Sequence, residues 1–133
     1  MTEAPFDFSC LTRRGVPIQK FDAGEKIFLE DDSGGCMYVV QSGKVDVITF
    51  GSVLETVGPG GMFGEMALID DGPRSAAALA NEATEASAID KAMFVQLVRE
   101  EPEFALRVMR LLTERIRRIA QNRWRYPRQN EHT

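Results

Sequence analysis

Histidine is almost absent from this chain of 133 residues, whose only copy is His132 near the C-terminus. A metal enzyme built inside a β-barrel needs several histidines together with a carboxylate. Nucleophilic catalysis by serine or cysteine with a histidine base cannot be assembled from a single terminal histidine either. The sequence also lacks a G-x-x-x-x-G-K-[ST] run, which excludes a phosphate-loop ATPase. We therefore expect no catalytic residue, no metal ligand and no enzyme activity.

Cysteine and long apolar runs are scarce as well. Cys10 and Cys36 are too few for a disulfide framework. No apolar run approaches the length of a membrane-spanning helix, and the N-terminus lacks the basic and apolar regions of a secretory signal. These absences predict a cytoplasmic protein without a membrane span.

Positive charge is not in excess, since the formal net charge is −4. This balance argues against a general nucleic-acid-binding protein. A content of 44% hydrophobic and 27% charged residues is typical of a globular chain, and its length fits one domain. We expect that domain at residues 1–126, with a barrel at about 16–90 and helices at about 91–124. Residues 127–133 are expected to form a flexible tail.

Short β-rich runs separated by glycine-containing turns fill the region from about residue 16 to residue 90. The predicted strands are 18–21, 26–30, 37–41, 44–50, 53–57, 75–80 and 84–89. Such short strands at regular spacing favour an antiparallel sandwich or barrel. Before them, Phe6, Phe8 and Leu11 are spaced like one face of a short helix.

The pattern changes to helix at Asp90, which is a good N-cap for residues 91–100. Apolar residues at i, i+3, i+4 spacing give this segment one apolar face. They are Met93, Phe94, Leu97 and Val98. Pro102 suits the first turn of a second helix, which is predicted to end near Arg123.

The second helix carries two apolar lines. The first consists of Phe104, Val108, Leu111 and Arg115 and is expected to pack against the barrel. The second, Ala105, Met109, Leu112, Ile116 and Ile119, has the 4-3-4-3 spacing of a coiled-coil seam. The sequence leaves open whether this second line joins two copies of the chain or widens the core-facing stripe of a monomer.

Residues 63–76, Phe-Gly-Glu-Met-Ala-Leu-Ile-Asp-Asp-Gly-Pro-Arg-Ser-Ala, form the most specific motif. Gly64 permits a close approach of the backbone to a ligand. Glu65 can accept a sugar hydroxyl, and the free N–H groups of the helical turn that it begins attract an anion. Arg74 and Ser75 add a guanidinium fork and a hydroxyl donor. These groups together fit a ribose phosphate of low net charge.

This motif resembles the phosphate-binding cassette of cyclic nucleotide-binding domains, F-G-E-x-A-L followed by a short spacer and P-R-x-A. The matching residues are Phe63, Gly64, Glu65, Ala67, Leu68, Pro73, Arg74 and Ala76. The resemblance implies an antiparallel jelly-roll barrel that contains a short cassette helix, with a short N-terminal helix and two C-terminal helices. It also implies that Glu65 binds the ribose 2′-hydroxyl and that Arg74 binds the cyclic phosphate. The predicted ligand-binding set is Phe63, Gly64, Glu65, Met66, Ala67, Arg74, Ser75, Ala76 and Ile119.

The expected ligand is cAMP, with cGMP as the other candidate. Ser75 follows Arg74 directly, and the resemblance associates a serine there with bacterial cAMP-binding relatives. Aligning Pro102 with the family's inter-helix proline places Ile119 near the adenine. Catabolite-activator relatives have hydroxyl residues there, so an aliphatic lid leaves the base specificity open.

Output modules in this family include a helix-turn-helix, a kinase or a channel. Only roughly ten residues follow the last predicted helix, too few for a helix-turn-helix, so we expect no DNA binding. The sequence predicts a stand-alone bacterial sensor, or an excised sensor domain, that repositions its C-terminal helices and acts on an unidentified protein partner. A homodimer through the last helix is one further expectation. The alternative is a structural interaction module of the same fold without useful nucleotide affinity.

Overall fold

The computed structural model describes the backbone of residues 7–131 and the side chains of residues 7–118 and 120. The strands are β1 (Ile18–Phe21), β2 (Lys26–Phe28), β3 (Cys36–Ser42), β4 (Val45–Thr49), β5 (Ser52–Val57), β6 (Met62–Phe63), β7 (Ala77–Ala80) and β8 (Thr84–Asp90). The helices are α1 (Ser9–Arg13), α2 (Glu65–Asp70), α3 (Lys91–Glu100) and α4 (Pro102–Glu131).

The strands form two antiparallel sheets of four strands each. One sheet has the order β1-β8-β3-β6 and the other has the order β2-β7-β4-β5. No hydrogen-bonded strand pair joins the two sheets within the described residues, so the roll is two stacked sheets and not a closed ring. The predicted fold class, an antiparallel jelly roll with one N-terminal, one cassette and two C-terminal helices, is confirmed.

β3 supplies side chains to two cores because both of its faces are covered. Tyr38 and Val40 pack between the sheets against residues such as Val45 and Val57. Met37 and Val39 point the other way, into a cluster with the helices. The alternation of a β-strand therefore places one hydrophobic core inside the roll and a second beneath the helices.

The second core joins all four helices to the roll. Its helical members are Cys10, Leu11, Leu68, Leu97, Phe104 and Val108. Phe8 packs against this cluster, as the predicted N-terminal face requires, while Phe6 lies outside the described residues. Arg14 adds ion pairs with Glu100 at 2.7 Å and Glu101 at 2.9 Å, which tie the end of α1 to the α3–α4 junction.

The helix signals in the sequence are largely confirmed. The Asp90 carboxylate caps α3 by accepting the Met93 N–H at 2.8 Å. Leu97 is fully buried, whereas Val98 is 42% exposed and lies at the edge of the predicted stripe. α4 ends at Glu131 and not near Arg123. The domain boundary at residue 126 and the flexible tail stay predictions.

The two apolar lines of α4 have different environments. Phe104 and Val108 are buried and Leu111 packs against the same core, so the first line faces the roll as expected. On the second line, Met109 is 57% exposed and Ile116 is 65% exposed. Leu112 of the same line packs against the core, so the line leaves two separate apolar side chains, Met109 and Ile116, on the surface of the monomer.

The strand predictions differ from the structure mainly next to the motif. β6 is a two-residue strand that pairs Phe63 with Tyr38 of β3, and the sequence did not indicate it. β7 begins at Ala77, two residues later than predicted. Ser75 and Ala76 instead border the cavity described below. Both differences arise because the motif, and not the sheet ladder, sets the backbone path here.

Candidate functional site

The motif folds around a left-handed glycine. Gly64 has φ 80° and immediately precedes α2, a conformation that glycine adopts at no steric cost. A Cβ atom here would lie 2.8 Å from Nη1 of Arg74, so the position also has no room for a side chain. Gly64 therefore brings the start of α2 and the Arg74 guanidinium together.

Glu65 is the first residue of α2 and is fully buried. Its Oε2 forms an ion pair with Nη1 of Arg115 from α4. Its Oε1 is also buried and has no hydrogen-bond partner among the described residues. Leaving a buried acceptor unsatisfied costs free energy, so this oxygen is suited to accept a hydrogen bond from a ligand.

Arg74 is 4% exposed and is held by backbone and aromatic groups. Its Nη1 donates to the Gly64 carbonyl at 2.7 Å, and its Nη2 donates to the Cys36 carbonyl at 2.5 Å. The guanidinium lies 3.9 Å from the centre of the Phe28 ring, a cation–π contact. Its Nε is buried without a partner within the described chain. No carboxylate pairs with Arg74 in these contacts, so its positive charge is available to an anion.

One cavity brings the predicted residues together. Eight of the nine line it, namely Phe63, Gly64, Glu65, Met66, Ala67, Arg74, Ser75 and Ala76. The ninth, Ile119, has a side chain outside the described residues. That these residues bind a ligand stays a prediction.

The loop between β2 and β3 packs against two residues that line this cavity, Ala67 and Arg74. The sequence indicated only a plain turn at Gly34, yet a Cβ atom there would lie 2.3 Å from the Ala67 Cβ. The same loop pairs with the Arg74 backbone, which donates to Asp32 at 2.8 Å and accepts from Asp31 at 2.9 Å. Gly34 thus permits the close packing of this loop on α2, and only the folded chain reveals that role.

Arg115 is the main cavity-lining residue that sequence reasoning missed. It lies on the line of α4 that faces the roll, and it lines the cavity. Besides Glu65 it binds Oε1 of Glu55 on β5, through Nε at 3.1 Å and Nη2 at 2.9 Å. Burial opposes the charge of this guanidinium, but Glu65 and Glu55 outweigh that effect and raise the pKa of Arg115. The sequence did contain one indication of this role, because Arg115 is a charged residue at the end of an otherwise apolar line of α4.

An apolar wall forms another part of the cavity lining. Val47 of β4 and Leu54 of β5 line it together with Phe28 of β2. The sequence indicated strands at these positions but not a shared surface. Two aliphatic side chains and a ring provide a face on which a flat, partly apolar group can pack.

Other site chemistries find no support in the described residues. No group of three or more histidine, cysteine, aspartate or glutamate side chains there is arranged to hold a metal ion. Within the same part of the chain, no helix is both long enough and apolar enough to cross a membrane.

Comparison with known proteins identifies the family of this fold and cavity. A family model described as "cyclic nucleotide-binding domain" matches residues 18–101, which include every strand and the whole motif. The chain belongs to the cyclic nucleotide-binding domain family.

Two relatives and one solved structure illustrate the likeness of this cyclic nucleotide-binding domain to regulators. The cyclic AMP receptor protein of Thermus thermophilus is 39% identical over 102 residues, 73% of this chain and 47% of the relative. A CRP-like cAMP-activated global transcriptional regulator of Mycobacterium tuberculosis is 29% identical over 123 residues, 89% of this chain and 54% of the relative. The crystal structure of the Thermus thermophilus catabolite activator protein superposes with a TM-score of 0.75 at 35% identity, covering 85% of this chain and 55% of that one. The chain spans about half the length of these relatives.

Proposed function

We propose that this domain is a regulatory sensor that binds cAMP in the cavity between α2, Arg74 and the β4–β5 wall. One observation carries the proposal. A buried acceptor, Oε1 of Glu65, and a buried donor, Nε of Arg74, lack partners among the described residues, and both residues line the same cavity. A ribose cyclic phosphate supplies a hydroxyl donor and an anion, and so complements both groups.

Each part of the nucleotide has a matching surface in the proposed complex. A ribose hydroxyl donates to Oε1 of Glu65, and the phosphate accepts hydrogen bonds from Arg74 and the first amides of α2. Ser75 is exposed at the cavity edge, where its hydroxyl adds a further donor. The purine packs on Val47 and Leu54. Ile119 is proposed to cover it from α4.

The names of two relatives support cAMP over cGMP as the ligand. One is called a cyclic AMP receptor protein and the other a cAMP-activated regulator. Ser75 favours the same choice by family resemblance. The names also favour a regulatory role over an enzymatic one. The net charge of −4 argues against general nucleic-acid binding by this chain.

The proposed signal is a shift in the position of the C-terminal helices. Arg115 of α4 pairs with Glu65, so one carboxylate serves both the cavity and the helix. The cavity encloses about 70 Å³, less than the roughly 300–1,000 Å³ of typical ligand pockets. A nucleotide therefore favours an arrangement in which α4 is displaced or re-docked. Its binding shifts the helix equilibrium by its difference in affinity for the two arrangements.

Calorimetric titration of nucleotide-stripped protein with cAMP and with cGMP tests this function. Binding of cAMP in the micromolar range or tighter, with weaker binding of cGMP, is the expected result. Absence of heat with both nucleotides, at two temperatures and on folded protein, would contradict the sensor and favour the interaction module. Hydrogen exchange of α3 and α4 with and without saturating cAMP tests the helix shift, which an unchanged pattern would exclude.

The exposed line of α4 supports a homodimer as the assembled form of the sensor. Met109 and Ile116 lie one above the other at coiled-coil spacing and are both more than half exposed. Ile116→Asp is expected to convert a dimer to a folded monomer in sedimentation velocity experiments. Val98→Asp on α3, which replaces another partly exposed aliphatic residue, is the matched control and should not change the mass. A monomeric wild-type protein would contradict the dimer.

A further inference from the structure

Glu55 of β5 places an additional carboxylate beside the nucleotide cavity, next to a β-bulge. Val47 pairs with Glu55 whereas Ile48 pairs with Val53, so Leu54 is an extra residue in the strand. Successive side chains of a regular strand point to opposite faces, and a bulge changes their direction. Here Leu54 lines the cavity while Glu55 binds Arg115, which lines it too. The successive residues Leu54 and Glu55 therefore supply an apolar wall and a second acidic partner for α4.

The Arg115 guanidinium binds two carboxylates unequally. One edge of its guanidinium, Nε and Nη2, is occupied by a single oxygen of Glu55. In the position that this contact fixes, Nη1 binds Oε2 of Glu65. Guanidinium and carboxylate groups frequently pair through two parallel hydrogen bonds. Contact with Glu55 holds the guanidinium where Glu65 receives a single hydrogen bond, and Oε1 of Glu65 is left without a partner within the described residues.

We propose that Glu55 is a positioning residue for nucleotide binding. By binding the Arg115 guanidinium, Glu55 keeps Oε1 of Glu65 free to accept a hydrogen bond from the ligand. The inference rests on the proposed function of the cavity. Glu55 is itself 20% exposed and needs no contact with the nucleotide for this role. Without Glu55, Arg115 can turn its fork to both oxygens of Glu65 and close the acceptor that the ribose hydroxyl needs.

Glu55→Ala tests this role by calorimetric titration with cAMP. The affinity is expected to fall about tenfold, because a ligand must then displace a charge-assisted hydrogen bond from Glu65. Asp46→Ala is the matched control and should bind like the wild type. The Asp46 carboxylate lies on neighbouring β4, where it accepts from Thr56 at 2.8 Å and from Asn81 at 2.9 Å.

The double variant Glu55→Ala, Arg115→Gln separates this role from a merely structural one. The glutamine keeps a donor near Glu65 but cannot form the guanidinium fork. The double variant is expected to bind cAMP more tightly than Glu55→Ala alone. Wild-type affinity in Glu55→Ala, or a double variant no tighter than Glu55→Ala, would overturn the proposal.

A crystal structure of ligand-free Glu55→Ala tests the same inference without any nucleotide. Arg115 is expected to bind both oxygens of Glu65 in that structure. An Arg115 that still binds Oε2 alone would overturn the proposal. A wild-type protein that fails to bind cAMP would contradict the proposed function, while this structural test of Glu55 would still give an answer.

Discussion

Arg74→Ala is expected to weaken cAMP binding by about 10- to 100-fold, the loss of a charge-assisted hydrogen bond worth roughly 1.5–3 kcal/mol. Arg74 is buried at the cavity and pairs with no carboxylate in its described contacts, so its charge is available for the phosphate. Its hydrogen bonds to the Gly64 and Cys36 carbonyls fix the guanidinium before any ligand arrives. Preorganised donors cost little to order on binding, which is why this single residue should matter most.

Matched variants separate the phosphate contact from a general loss of charge or fold. Arg99→Ala removes an exposed arginine from α3 and should leave cAMP affinity unchanged. Arg74→Lys keeps the charge but loses the planar fork, and it should bind with intermediate affinity. Thermal unfolding without nucleotide shows whether each variant is folded. Wild-type affinity in folded Arg74→Ala would exclude the proposed phosphate site.

Arg115→Met is expected to lower the free energy of unfolding by about 3–5 kcal/mol, the cost of removing one partner from a buried ion pair. Glu65 is fully buried, and Arg115 is the described residue that pairs with its charge. The side chain of Arg115 is itself only 15% exposed, so solvent provides little compensation. Chemical denaturation followed by circular dichroism measures the change.

A second substitution identifies the cause of that loss. Glu65→Gln in the Arg115→Met background removes the unpaired charge and should restore most of the stability. Arg117→Met, at an exposed position of the same helix, is the control and should change stability little. Equal stability of Arg115→Met and the wild type would show that the ion pair does not hold α4 against the roll.

The cassette and the helix starts were predictable because their causes are local. Gly64 adopts its left-handed conformation and Asp90 caps α3 through groups within a few residues of each. The alternation in β4 and the apolar line of Phe104 and Val108 likewise follow from the periods of strand and helix. These features depend on residues that are close together in the sequence, so they can be predicted without knowledge of the fold.

The sequence by itself thus determined the family, the jelly-roll class and eight residues that share one cavity. Only the tertiary structure decided which distant groups complete that cavity. Arg115 contacts Glu65, which is 50 positions away in the sequence, and Glu55, which is 60 positions away. Gly34 meets Ala67, and a bulge in β5 adds Leu54 to the cavity wall. These contacts depend on how sheets, loop and helix pack together, and side-chain periodicity within one segment carries no information about a partner in another.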